Sequence, residues 1–492
     1  MERLGDDVCM WRSGFLMLAL ALPTSAALQD APFIVEAKEQ LVEARQPLRD
    51  RGLPLTPAAF DAKHTAVDDR LNAAVPIMAA VEAMKQIDQE AVDRWKGLQA
   101  FDDFFYPLLP GERPLPSMIE SDFRFTWDQV AEAHAPYLAA LSELDALDGV
   151  ARPAVDRTVA DFGIRHDDPE ITFLIDVFLV HLSDVRSLEQ PLAWQTLIHT
   201  ENGKSVEAFV SARRLFAIAE SLSTSHPSTP SHLTGLGMAG TAAETLGRAL
   251  PHLEFGPDGI EPKKARAFVD ALLDRKIGER QWNGIMEAGI LFQQHTVDQL
   301  LTGQAPPDYW DLGNQLRLIA TAGGSGEVLV DAMLPLLDIG KQKRWPAARE
   351  LVEQHEAVAT RISDNRMKFD LASKLLPRFR PIAKAHFEAQ NDRHRTAVAL
   401  AIALYRADHD ALPPTLEALV PEYLPFVPPD VMTVDATVRY DPQRGLVWTV
   451  GGDGVDHDGF SKTDRLRLLP SATREELEAM GWDEVVAVAA PN

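Results

Sequence analysis

The residues with the sharpest chemistry stand near the C-terminus. Gly451-Gly-Asp-Gly-Val-Asp-His-Asp-Gly459 is too rich in glycine and aspartate to be anything but a loop, and it brings the carboxylates of Asp453, Asp456 and Asp458 close together. Carboxylates on a flexible loop are hard oxygen donors. The competing account is a polar turn whose aspartates cap backbone amides. An EF-hand is excluded, because Asp456-His-Asp458-Gly459 lacks the first ligand and the distal glutamate.

Elsewhere the candidates are weaker. His166-Asp167-Asp168 with Glu170 is the best imidazole–carboxylate cluster, set against metal or acid–base work. It precedes a helix beginning near Ile171, where acidic side chains complement the macrodipole, and that explanation suffices. His226 and His232 share a turn-rich loop but lack a third ligand. His181, His199, His295 and His355 read as ordinary helix residues, and Trp194, Trp282 and Trp310 as core or groove walls. No Gly-x-Ser-x-Gly elbow, His-Glu-x-x-His site or phosphate-cradling glycine loop is present, so no catalytic residue is assigned. Ala322-Gly-Gly-Ser-Gly326 reads as a flexible connection between helices at 312–322 and 326–338, with an anion site at the second helix as its alternative. A hydrolase whose carboxylates or histidines converge from distant helices needs no local spacing, so it stays open.

The elements that must position the aspartate loop are legible. Val398, Ile402 and Tyr405, with Leu400 and Leu404 beside them, predict a helix buried on more than one side. Its end is expected near Asp408–Asp410, in a left-handed cap ahead of Pro413. Thr415 then caps a short helix, Leu416 to Val420. Thr437–Tyr440 and Leu446–Val450, separated by Asp441-Pro-Gln-Arg-Gly445, predict a β-hairpin.

Together, LYRADHDALPPTLEALVPEYLP, the hairpin and VGGDGVDHDG resemble the soluble half of a type II secretion major pseudopilin. They are closer still to a pilin-like tail found on large secreted proteins of planctomycete-type bacteria. The resemblance covers roughly residues 393–460; Asp410 stands where that pattern has glycine and Leu412 where it has tyrosine. In pseudopilins the corresponding loop often binds calcium, so the resemblance implies Ca²⁺ as a candidate cofactor with Asp453, Asp456 and Asp458 as its ligands. It does not imply fibre formation. A pseudopilin opens with a long apolar anchoring helix, whereas Lys384-Ala-His-Phe-Glu-Ala-Gln-Asn-Asp-Arg393 cannot lie in lipid.

The chain has 492 residues, 46% of them hydrophobic, enough for a sizeable core. Its net charge of −25 disfavours nucleic acid and anionic membrane as partners. Met10 to Ala27 reads as a signal peptide with one basic residue and an apolar core of about nine, too short to span a bilayer. Residues 1–9 carry Glu2, Asp6 and Asp7, which suggests that translation starts at Met10. The only cysteine, Cys9, falls before the cut, so the mature chain is expected to have no disulfide, thiol catalysis or cysteine-ligated metal.

The fold class expected is mainly α, an irregular helical bundle or solenoid-like stack, with a small C-terminal α+β pilin-like domain. The layout runs as signal peptide (1–27), all-helical domain (28–380, with a sub-boundary near 106–118), pseudopilin-like domain (381–470) and C-terminal helical extension (471–492). Helix pairs recurring at about 40 residues between 205 and 380 hint at the stack. Thr473 and Glu476 form a capping box for the last helix, before an apolar tail from Val485 to Ala490. The expected role is an exported, periplasmic or secreted, non-enzymatic binding or structural protein. Its partner would be a cell-envelope or secretion-system protein.

Overall fold

The computed structural model describes residues 32–63, 72–99, 108–110, 112, 126–147, 160–163, 165–167, 181–225, 228–302, 312–468, 476 and 480–489. The signal peptide, Cys9, most of the break at 106–118, Asp168, Glu170, His226, Trp310 and Thr473 lie outside the described residues.

The chain is mainly helical with one small antiparallel sheet near its C-terminus. Its α-helices are α1 (Pro32–Ala44), α2 (Gln46–Asp50), α3 (Pro57–Lys63), α4 (Ala74–Lys85), α5 (Gln89–Gln99) and α6 (Trp127–Ser142). Then come α7 (Leu182–Arg186), α8 (Glu189–Glu201), α9 (Ser205–Ser225), α10 (Thr229–Ala249), α11 (Pro262–Leu273) and α12 (Arg275–Thr302). The last are α13 (Leu312–Met333), α14 (Trp345–Asp364), α15 (Asp370–Leu375), α16 (Phe379–His409) and α17 (Lys462–Leu468). Punctuation follows the sequence: Thr126 makes a reciprocal capping box with Gln129 at the start of α6, and Ser228 Oγ accepts from the Ser231 amide at the start of α10. Among the described residues, no helix is long and apolar enough to cross a membrane.

α8, α9 and α10 pack in sequence order, as do α12 and α13. Other contacts leap along the chain: α1 lies on α13, and α16 touches α10, α11, α12 and α14. A solenoid, in which each repeat meets only its neighbours, has no such contacts, so the body is an irregular bundle.

α16 is its axis. From Thr396 to Leu404 every residue is buried, which is how a helix apolar on all faces must sit. Ala397 to Leu404 belong to one apolar cluster with Phe209, Leu215, Leu246 and Phe268 from the body, and with Val447 and Val486 from the sheet. The expected boundary at 381 therefore falls inside a single helix, and apolar packing continues across it. The cap is as expected: Asp410 adopts φ 52° and its amide donates to the Arg406 carbonyl (2.9 Å). Beyond it, Leu416–Leu419 is a 3₁₀ turn.

The hairpin forms with β1 (Arg439–Asp441) antiparallel to β2 (Leu446–Val450), in the register Arg439↔Trp448. Asp441 Oδ1 accepts from the amides of Gln443 and Arg444, and Gly445 supplies the positive φ of the turn. A third strand, β3 (Asp483–Ala487), pairs antiparallel with β2, from Leu446↔Ala487 to Val450↔Asp483. This corrects the expected apolar tail of a helical extension. β2 is buried along most of its length and needs a partner on its second edge, and the β-branched Val485 and Val486 supply it.

The glycine run at 323–326 also differs from expectation. α13 runs through it unbroken. A Cβ on Gly323 would lie 2.9 Å from Ala37 Cβ and 3.0 Å from Ala37 Cα, and one on Gly326 would lie 2.0 Å from Leu41 Cδ2. The glycines let α1 approach α13 closely; they are neither a hinge nor an anion loop.

Candidate functional site

In the aspartate loop, two of the three carboxylates, those of Asp453 and Asp456, have protein partners. Asp453 Oδ2 faces His457 Nε2 at 2.8 Å, and its Oδ1 accepts from the Val455 amide. Asp456 receives Arg439 Nε at 2.6 Å, Trp448 Nε1 at 3.1 Å and the Asp458 amide at 3.0 Å. Burial pushes the Asp456 carboxyl up, but the Trp448 and Asp458 hydrogen bonds and the Arg439 charge together hold it below its ordinary value. Asp458 has φ 56°, and its carbonyl accepts from Arg444 Nη1. Among the described residues, no three His, Cys, Asp or Glu side chains are placed to hold a metal ion. The donor set as folded does not fit Ca²⁺: a guanidinium already neutralises the central carboxylate.

Two buried aspartates that sequence reasoning missed hold this lobe together. Asp430, with no solvent exposure, accepts from Asn391 Nδ2, the Met432 and Val450 amides and Arg439 Nη1, the last at 2.6 Å. It thereby ties α16 to both hairpin strands. Asp483 Oδ2 accepts from the His457 and Gly459 amides, while its buried Oδ1 has no partner. Burial raises its carboxyl pKa against those two bonds. A proline-rich run before Asp430 gave no hint of its role.

The upstream cluster also resolves differently from its sequence spacing. His166 Nδ1 pairs with Asp61 Oδ1 at 2.6 Å, and Asp61 Oδ2 accepts from the amides of His166 and Asp167. The partner comes from α3, about a hundred residues away, and Phe60 packs edge-on against the imidazole. This buried pair fixes the segment on α3.

A cleft lies among α9, α10, α11, α12 and α16, with a volume of about 60 Å³. Its walls carry Glu220, Asp274, Gln281, His386, Gln390 and Arg393 among apolar side chains that include Phe216, Phe268 and Leu272. Arg393 donates from Nε and Nη2 to the carbonyls of Leu272 and Ala271, capping the C-terminus of α11. Burial lowers its pKa, and the charges of Glu220 and Asp274 oppose that. Glu220 is half-buried, and its carboxylate has no hydrogen-bond or ion-pair partner among the described residues. Burial raises its pKa, with Arg393 and Arg280 opposing.

In the cleft wall, His386 is buried and shares a hydrogen bond (3.3 Å) with the buried His232. Gln390 Nε2 lies 2.9 Å from His386 Nε2. An amide N–H can only donate, so His386 Nε2 accepts and its Nδ1–H donates to His232 Nε2. His232 Nδ1 is left with the remaining proton and no partner. Burial keeps both rings neutral, His386 down to about 3. His232 comes from the sequence-predicted pair; its neighbour is His386 on α16. Of the other histidines, His355 is a buried helix residue bonded to the Ala332 carbonyl.

No protein-family model matches the chain, and neither does any curated protein or solved structure.

Proposed function

We propose that the chain is an exported, non-enzymatic binding protein of the cell envelope, whose pseudopilin-like lobe is built onto a helical body and does not polymerise. The observation that carries this reading is the all-round burial of Thr396–Leu404 between body and sheet. The apolar faces of this helix are covered by its own chain and are not offered to a second copy. Export rests on the signal-like segment from Met10 to Ala27.

The test is a pull-down from a solubilised envelope fraction with the purified mature protein, alongside negative-stain microscopy. Capture of a secretion-system component with no filaments is expected. Filaments, or an empty pull-down with measurable turnover, would reverse the reading.

A second reading, a hydrolase assembled from distant helices, draws on the cleft, which Glu220, Asp274 and His386 all line. Binding is favoured because both His386 nitrogens are already hydrogen-bonded, which leaves no base poised over an open position.

A further inference from the structure

The cleft is lined by two acidic and two basic side chains, Glu220, Asp274, Arg275 and Arg393. Arg275 is engaged by the Lys341 carbonyl, and Glu220 and Arg393 do not pair with each other. Glu220 on α9 and Arg393 on α16 both line it, yet no ion pair joins them, and the Glu220 carboxylate has no partner among the described residues. Arg393 uses Nε and Nη2 on the last carbonyls of α11 and makes no hydrogen bond through Nη1. Half-buried charges in a mostly apolar cleft are costly unless something completes them. We infer that the cleft is a binding site for a small zwitterion of the α-amino-acid type. Its ammonium meets Glu220, its carboxylate meets Arg393 Nη1, and its aliphatic part lies against Phe216, Phe268 and Leu272.

The size agrees. A volume of about 60 Å³ is room for roughly four to six water-sized groups, the scale of an amino-acid main chain with a short side chain. The charge pattern selects further. An anion alone would leave the Glu220 carboxylate without a hydrogen-bond partner, and an amine alone would leave Arg393 Nη1 so. Only a ligand carrying both signs answers both walls, and charge-assisted hydrogen bonds are the strong ones in such a setting. Asp274 shares the cleft, but its Oδ1 is engaged by the Lys276 amide at the start of α12, so Glu220 is the acidic contact. The neutral His386 of the wall, paired with His232, adds no competing charge. This inference does not depend on the envelope role.

The experiment is calorimetric titration of the full chain with L-alanine, propionate and ethylamine, the last two being alanine without its ammonium and without its carboxylate. L-Alanine is expected to bind, and each single-charge analogue to bind about tenfold or more weakly. Glu220→Gln keeps the shape and should abolish L-alanine binding while the melting temperature holds. Arg393→Gln also uncaps α11, so Ala239→Leu, which fills the cleft without changing charge, is the second variant and should block binding. Absence of binding by L-alanine at millimolar concentration would overturn the inference. So would equal binding of ethylamine and L-alanine, or full affinity in a folded Glu220→Gln.

Discussion

Arg439 stands between Asp430 and Asp456, giving Nη1 to the first at 2.6 Å and Nε to the second at 2.6 Å. One carboxylate is sealed from solvent and the other lies on the aspartate loop, so a single guanidinium fastens that loop to the interior of the lobe.

Removing the buried end should be severe. Asp430→Ala leaves Arg439 without its buried partner and the Val450 and Met432 amides without an acceptor. A loss of roughly 3 to 5 kcal/mol is expected for breaking a buried pair. Urea unfolding of the variant would measure it. A loss below about 1 kcal/mol would mean that the network is dispensable.

The same guanidinium bears on calcium. With Asp456 held by Arg439 and Trp448, the melting temperature should be the same with chelator and with added Ca²⁺. A calcium-dependent rise would show that the loop rearranges to release Asp456.

Glycines on two helices should respond in opposite directions. Gly323→Ala meets Ala37 Cβ and Cα on α1, so helix and backbone must separate, at about 1 to 3 kcal/mol. That outweighs the gain of up to about 1 kcal/mol in helix propensity. At exposed Gly237 in α10 nothing lies within 4 Å of a new Cβ, and Gly237→Ala should stabilise by roughly 0.5 to 1 kcal/mol. Thermal melts of the two variants test both signs.

Acid should destabilise the chain through histidines. Burial lowers His134 to about 4, His386 to about 3 and His394 to about 4. Each binds its proton in the unfolded chain first, so the folded state carries fewer protons between these values and the ordinary 6.5. Their stabilising effect is complete above about pH 6.5 and declines as pH falls, by about 1.4 kcal/mol per pH unit for each group at most. Denaturant titrations from pH 7 to 4.5 should show it, and His386→Gln should flatten the slope.

A fragment of residues 381–470 should not fold by itself. It would expose Ala397–Leu404 on the faces that α10 and α11 cover, and it lacks β3, leaving β2 unpaired along one edge. Circular dichroism with a denaturant titration is the check. A cooperative transition would make the lobe an independent unit.

Much of the local architecture was legible in the sequence. Apolar periodicity marked the buried helix through Val398 and Ile402, proline and aspartate marked its end, and β-branched runs around Asp441–Gly445 marked the hairpin. What escaped depends on contacts between distant segments. Asp430 is an ordinary loop aspartate until Asn391, Arg439 and Val450 converge on it. Glu220 and Arg393 lie far apart in sequence and share a cleft only because α9 and α16 pack in one bundle. The run at 323–326 looked like a connection because glycine is the usual breaker. Its real constraint is Ala37 and Leu41 on α1, which no local pattern reveals.

α16 forms part of the cleft wall at His386–Arg393 and reaches the sheet through the Arg395–Thr449 hydrogen bond, so a cut between cleft and sheet would pass through this helix. Swapping the C-terminal lobe onto another scaffold would carry the α16 side of the cleft wall away with it. Any recombination that separates the two, by engineering or by descent, must rebuild one rod of thirty-one residues from end to end.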